Sequence, residues 1–173
     1  MSASSAVIQQ EAAVPASFEL RFSPCDQLIS IVRRFVLSFY GSILDDEELS
    51  SQLALATHEL LDNAVKYGTT PTAELAVTVI PEGDAHRIVV SIRNRAELRH
   101  IGEADRIIRE LQAADSIFDH YQDLLHVAAD RVDGSGLGLA RIAAETRLQL
   151  TSRVDGDVIE IRAETQTPLK RPP

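Results

Sequence analysis

Apolar and polar positions first alternate across residues 18–22, Phe-Glu-Leu-Arg-Phe, and a period of two predicts a half-buried strand. Pro24 ends it, and Asp26 is placed to cap the next helix. Leu28, Ile31, Val32, Phe35, Val36 and Phe39 then recur at helical spacing, with Arg33 and Arg34 on the other side. That pattern predicts an amphipathic helix running to about Gly41. A second helix is expected from Asp45, Asp46, Glu47 and Glu48 to about Tyr67, stopping at Gly68, with Leu49, Leu53, Ala56, Leu60 and Ala64 as its apolar face. The four acids suit the positive end of a helix dipole, and that role is expected ahead of the alternative, an acidic patch for a partner.

Thr69, Thr70 and Pro71 have the chemistry of a turn. Residues 74–80 and 87–93 come next as two strands joined through Glu82, Gly83 and Asp84, an expected antiparallel hairpin. Residues 95–133 are charged and helical in pattern, with Ile107, Ile108, Leu111, Ile117, Leu124, Leu125 and Val127 as apolar marks. A glycine-rich stretch at 134–139 enters a helix reaching about Thr146, and two last strands, 147–153 and 158–164, turn at Asp155 and Gly156. Strands and helices are mixed without βαβ alternation. The expected fold class is therefore α+β: a two-layer α/β sandwich, a mixed and mostly antiparallel sheet with helices on one face. Residues 17–165 form one expected domain, between a flexible leader at 1–16 and a flexible, proline-bearing tail at 166–173.

Composition agrees with one domain of ordinary size: 173 residues, 45% apolar and 25% charged, which excludes disorder as a description of the whole chain. Acidic residues outnumber basic ones 26 to 17, for a net charge of -9. Such a surface repels a phosphate backbone, so nucleic acid is not an expected partner. A small phosphate pocket stays compatible with it, because a few backbone N–H groups can hold an anion inside an acidic protein. Cys25 is alone, which leaves no disulfide framework and no cysteine zinc site; a half-buried apolar role is expected for it. The five histidines, at 58, 86, 100, 120 and 126, lack metal-ligand spacing and are expected at or near the surface. With no signal-peptide pattern in residues 1–10 and no apolar run near 18 residues, no membrane contact is expected and the cytoplasm is the expected compartment.

Two segments carry candidate chemistry. In residues 58–68, Glu59, Asn63 and Lys66 are spaced four and three apart, so they share one side of the second helix. A carboxylate, an amide and an ammonium on one stripe can orient water, a divalent cation and a phosphate respectively, or can simply be the wet side of a helix. In residues 133–139, Gly134, Gly136 and Gly138 alternate with Ser135 and Leu137 on the way into a helix. Glycines there let the backbone approach a ligand and aim N–H groups at it, and the helix dipole adds to the attraction for an anion. The stretch is not a P-loop, since no Lys-Ser/Thr pair succeeds it, and it lacks the strand that precedes a dinucleotide fingerprint.

In this order and spacing, the two segments resemble the ATP-binding domain of the GHKL superfamily, the Bergerat fold of gyrase, Hsp90-type chaperones, histidine kinases and MutL. Within it the chain is most similar to the small bacterial anti-sigma factor serine kinases, through the strand at 18–22, the helix carrying Arg33, Arg34 and Phe35, and the segment around Glu59. The resemblance spans roughly residues 18–164. It implies that Asn63 coordinates the Mg²⁺ carried by ATP and that Glu59 acts as general base. It implies also that Lys66 lies near the phosphates and that Gly134, Ser135, Gly136, Leu137 and Gly138 cradle them. Residues 95–133 take the place of a mobile ATP lid. The family's adenine box, Asp-x-Gly, is altered: Asn94 stands at the aspartate and Ala96 at the glycine. The function implied by the resemblance is that of a regulatory switch protein. It would be an ATP-dependent serine/threonine kinase that phosphorylates an antagonist partner (an anti-anti-sigma-like protein) and sequesters a sigma factor or similar regulator. A homodimer is a further implication. The alternatives are a degenerate module that binds a protein partner without nucleotide, and an ATPase without kinase activity.

Overall fold

A computed structural model describes residues 15–23, 25–44, 46–129 and 136–168. Ten elements succeed one another: β1 (Ala16–Phe22), α1 (Asp26–Leu44), α2 (Glu47–Tyr67), β2 (Gly68–Glu82), β3 (Ala85–Ala96), α3 (Leu98–Ala113), α4 (Ile117–Ala129), α5 (Leu137–Glu145), β4 (Gln149–Asp155) and β5 (Val158–Pro168). The strands form one five-stranded sheet in the order β1-β2-β3-β5-β4. Every pairing among the described residues is antiparallel, so the sheet is not mixed. This is the expected α+β two-layer sandwich.

The layers follow from alternation. On β2, Ala73, Leu75, Val77 and Val79 are buried, and on β3 Ile88, Val90, Ile92, Asn94 and Ala96. Register puts Leu75, Ile92 and Ile161 in one row across the sheet, with Val77, Val90 and Ala163 in the next. These rows form the floor of the core, and α1, α2, α3 and α5 contribute its other wall. The opposite face of the sheet carries charge: Glu74 lies between Arg21 at 2.5 Å and Arg93 at 3.6 Å. Such exposed pairs keep that face wet and add little to stability.

Helix α2 starts where its sequence says it should. Asp46 is the N-cap, its carboxylate accepting from the Leu49 N–H at 3.0 Å, with Glu47 and Glu48 in the first turn. The acidic run therefore has a local structural role. At the other end the Gly68 N–H donates to Ala64 O, and a Cβ on residue 68 would lie 2.5 Å from that oxygen, so a side chain has no room there. The chain passes straight from this glycine into β2. Thr69, Thr70 and Pro71 are thus not a separate turn but part of an irregularity inside β2, where pairing jumps from Gly68 opposite Ala96 to Ala73 opposite Asn94. Extra residues on one strand are accommodated as a bulge, which bends the strand locally.

Further expectations are corrected. The buried edge of α1 is Ile29, Val32, Val36, Tyr40 and Leu44, while Ile31 and Phe35 face outward. Apolar residues cover more of this helix than one face, and spacing alone does not choose among overlapping stripes. Phe35 is covered in part by neighbours, with ring centroids 4.9 Å from Phe18 and 6.2 Å from Phe39. By length and a mean hydropathy of 1.2, α1 would also pass as a membrane-crossing segment, where none is expected; Arg33 and Arg34 interrupt it and its inner edge is committed to the core. Cys25 is exposed, not half-buried. At the chain's end, β5 continues past residue 165 because Pro168 pairs with Ala85 at the far end of β3. Residues 1–14 and 169–173, which hold most of the expected leader and tail, lie outside the described residues.

Candidate functional site

Glu59 and Asn63 lie one turn apart on α2, on the side that meets α5. A Cβ added to Gly138, in the first turn of α5, would stand 2.7 Å from Glu59 Oε2 and 3.7 Å from Asn63 Nδ2. The structure therefore brings the amide-and-carboxylate stripe and Gly138 together, and a side chain at 138 would require the Glu59 carboxylate to move. Gly136 is the N-cap of α5 with φ of 88°, a left-handed conformation that favours glycine. Gly134 and Ser135 lie outside the described residues.

Beside this junction is a narrow slot between α2, α3 and the sheet, about 40 Å³ in volume. Asn63, Gly136 and Asn94 all line it, together with Tyr67, Ala96 and His100; apolar side chains of β3, α3, α5 and β5 complete the walls. A space of that size takes only a few waters, so a base or nucleotide needs α3 to draw back. Ile101, Ala104 and Ile107 of α3 form its cover, and with Ala96 and His100 they are the part of residues 95–133 that reaches the slot. α4 does not line it, and the Val127 side chain lies outside the described residues.

The polar groups of the slot are under-satisfied. Asn63 Nδ2 and His100 Nδ1 are buried without a hydrogen-bond partner, an arrangement that costs on the order of 1–3 kcal/mol per group unless something binds there. Asn94 is 8% exposed, and its Nδ2 donates to Arg95 O at 3.1 Å. That bond engages the nitrogen with the backbone and turns the oxygen away from it. The side chain of Lys66 is exposed, its ammonium 5.2 Å from the Tyr67 ring centre, and it does not line the slot. Leu137 opens α5 without reaching the slot.

Sequence reasoning missed three residues. Tyr67 and His100 place their rings 4.8 Å apart at one wall. Arg141 pairs with Glu59, Nη1 to Oε1, at 3.0 Å, and its Nε reaches Glu145 Oε1 at 3.1 Å. Hydrogen bonding to Glu145, then the charges of Glu145 and Glu59, hold the Arg141 guanidinium above its ordinary pKa against the opposing effect of burial. Arg141 was findable, since it lies three residues past Gly138 and so on the same side of α5. The pairing of Tyr67 with His100 joins distant segments, and no local spacing reports it.

Fold and site together define a two-layer α/β sandwich with a polar-ended slot roofed by a helix. A chain of the SiaB–SiaC complex from Pseudomonas aeruginosa is similar, with a TM-score of 0.61 and 18% identity over 86% of this chain and 89% of that one. At that identity the likeness is one of fold. No protein-family model and no curated protein matches the sequence.

Proposed function

We propose that the protein binds Mg·ATP in this slot and is a serine/threonine kinase acting on a protein partner within a regulatory switch. The observation that carries the proposal is the closeness of Glu59 and Asn63 to Gly138, beside a slot that Asn63, Gly136 and Asn94 share. The residues suit the metal as well. Among the described residues no three of His, Cys, Asp and Glu form a cage, and Mg²⁺ ordinarily needs none, being held by one or two protein oxygens with phosphates and waters. Asn63 would provide that oxygen.

Bound there, Mg·ATP supplies the phosphoryl group and the metal charge that activates it. The chain's own residues do the rest. Backbone N–H groups at the glycine turn and the N-terminus of α5 hold the phosphates. The Asn94 oxygen accepts a hydrogen bond from the base, weaker than an aspartate would make because it carries no charge. Apolar side chains from α3 and the sheet exclude water around it. The Glu59 carboxylate takes the proton of an incoming seryl or threonyl hydroxyl. The neighbour of similar fold comes from a two-protein complex, which supports a role exercised on a partner; an antagonist of the anti-anti-sigma kind or a sigma-like regulator is the partner proposed, with a homodimer as the proposed assembly.

The second reading, a partner-binding module without nucleotide, is favoured by one observation: with Ile101, Ala104 and Ile107 of α3 on one side and Ala96 on the sheet side, the slot is only about 40 Å³. Thermal unfolding separates the two. Mg·ATP at about 100 times its dissociation constant adds roughly 2.7 kcal/mol to the native state. For a domain of this size that raises Tm by about 5–11 °C. Asn63→Ala should abolish the rise, and an unchanged Tm for the wild type would favour the module.

A further inference from the structure

We propose that Arg141 is the positioning residue for Glu59, holding its carboxylate beside the first turn of α5 and offsetting its charge where phosphate would arrive. The proposal rests on the nucleotide reading above and adds to it a residue outside both sequence segments.

The Glu59 side chain is only 12% exposed. Its Oε2 faces the Gly138 backbone, and its Oε1 accepts from Arg141 Nη1 at 3.0 Å. One oxygen is thereby bonded to Arg141 while the other lies against Gly138, both on the same helix. Arg141 is itself anchored: its Nε donates to Glu145 Oε1 at 3.1 Å, one turn further along α5. The two bonds use different N–H groups of the guanidinium, so both hold at once and the Nη1 group is aimed at Glu59. Lys66, the cation expected near the phosphates, stands at the exposed side of Tyr67, and Arg141 is the cation that the described ion pairs bring to Glu59.

The charge balance gives this contact a consequence. A largely buried carboxylate next to a triphosphate repels it, and the repulsion is strong where water is scarce. A guanidinium on the far oxygen lowers that repulsion while leaving Oε2 beside the glycine turn. Because Gly138 and Arg141 belong to one short helix, the phosphate cradle and the group that orients the base keep a fixed geometry.

The test is a double-mutant cycle on the full chain, with the dissociation constant of Mg·ATP read by calorimetry for the wild type, Arg141→Ala, Glu59→Gln and the double variant. Arg141→Ala should weaken binding by about tenfold or more. Glu59→Gln in the same background should restore most of that loss, because the charge that Arg141 offsets is gone. Arg141→Lys, which keeps the charge without the fork, should fall between wild type and alanine. If Arg141→Ala leaves affinity unchanged, or weakens it equally with and without Glu59→Gln, the positioning role is wrong while nucleotide binding stands. If the wild type itself does not bind Mg·ATP, the nucleotide reading fails and the proposal fails with it. Should Arg141→Ala not fold by its urea midpoint, Arg141→Gln takes its place in the cycle with the same outcomes.

Discussion

Gly136→Ala should destabilise the protein by about 3 kcal/mol and lower Tm by roughly 6–12 °C. Two costs add. A non-glycine residue held in the left-handed region loses about 1–2 kcal/mol, and Gly136 has φ of 88°. The new methyl would also press on the Cδ1 and Cγ1 atoms of Ile107, whose side chain is 1% exposed and has little freedom to yield. Overpacking of this kind costs about 1–3 kcal/mol, and each kcal/mol is worth about 2–4 °C at this chain length. Shortening Ile107 to valine removes the Cδ1 atom, so Gly136→Ala measured in that background should cost about 1 kcal/mol less. Equal losses in the two backgrounds would assign the whole effect to backbone strain and loosen the claimed contact between α3 and the glycine turn.

Leu60→Ala should cost about as much, on the order of 2–5 kcal/mol, because Leu60 is fully buried between α2 and the rest of the core. Its neighbour in sequence should behave in the opposite way. Glu59→Gln conserves shape and gives up one ion pair with a half-exposed arginine, a change worth about 1 kcal/mol or less. It should leave Tm within a few degrees of wild type while removing phosphoryl transfer. Urea denaturation checks the first expectation and transfer of labelled phosphate from ATP the second. A large stability loss in Glu59→Gln would make that carboxylate a structural group.

The contrast between positions 59 and 60 shows what the sequence discloses and why. Helical spacing separates the buried leucines of α2 from its polar stripe, so both the core face and the Glu59–Asn63 pair are legible before any coordinates. The same holds for the order of elements and for the glycine turn, whose local chemistry determines its conformation. Legibility fails where the answer depends on segments far apart in the chain. Lys66 shares a face with Asn63 by spacing, yet its side chain is exposed beside the Tyr67 ring and does not line the slot. The place of Arg141 on the glycine side of α5 is readable from spacing, but its bond to Glu59 across to α2 is not. The Tyr67–His100 wall exists only because the start of α3 returns to the end of α2. In α1 the pattern is over-rich: apolar residues on several faces leave Ile31 and Phe35 exposed where spacing would bury them. The irregularity in β2 is likewise hidden, because Thr-Thr-Pro reads as a turn unless Ala96 opposite Gly68 and Asn94 opposite Ala73 are known to hold the strand in place.

The central claim is that Asn63 and the glycine turn of α5 surround the phosphates of one Mg·ATP. Amide NMR spectra of the ¹⁵N-labelled full chain, titrated with the magnesium complex of a non-hydrolysable ATP analogue, test it most directly. Saturable shifts are expected at the backbone amides of Gly136 and Gly138 and at the Asn63 side-chain amide, with smaller changes at Asn94 and along α3. Shifts confined to other surfaces, or a spectrum unmoved at millimolar analogue, would contradict it.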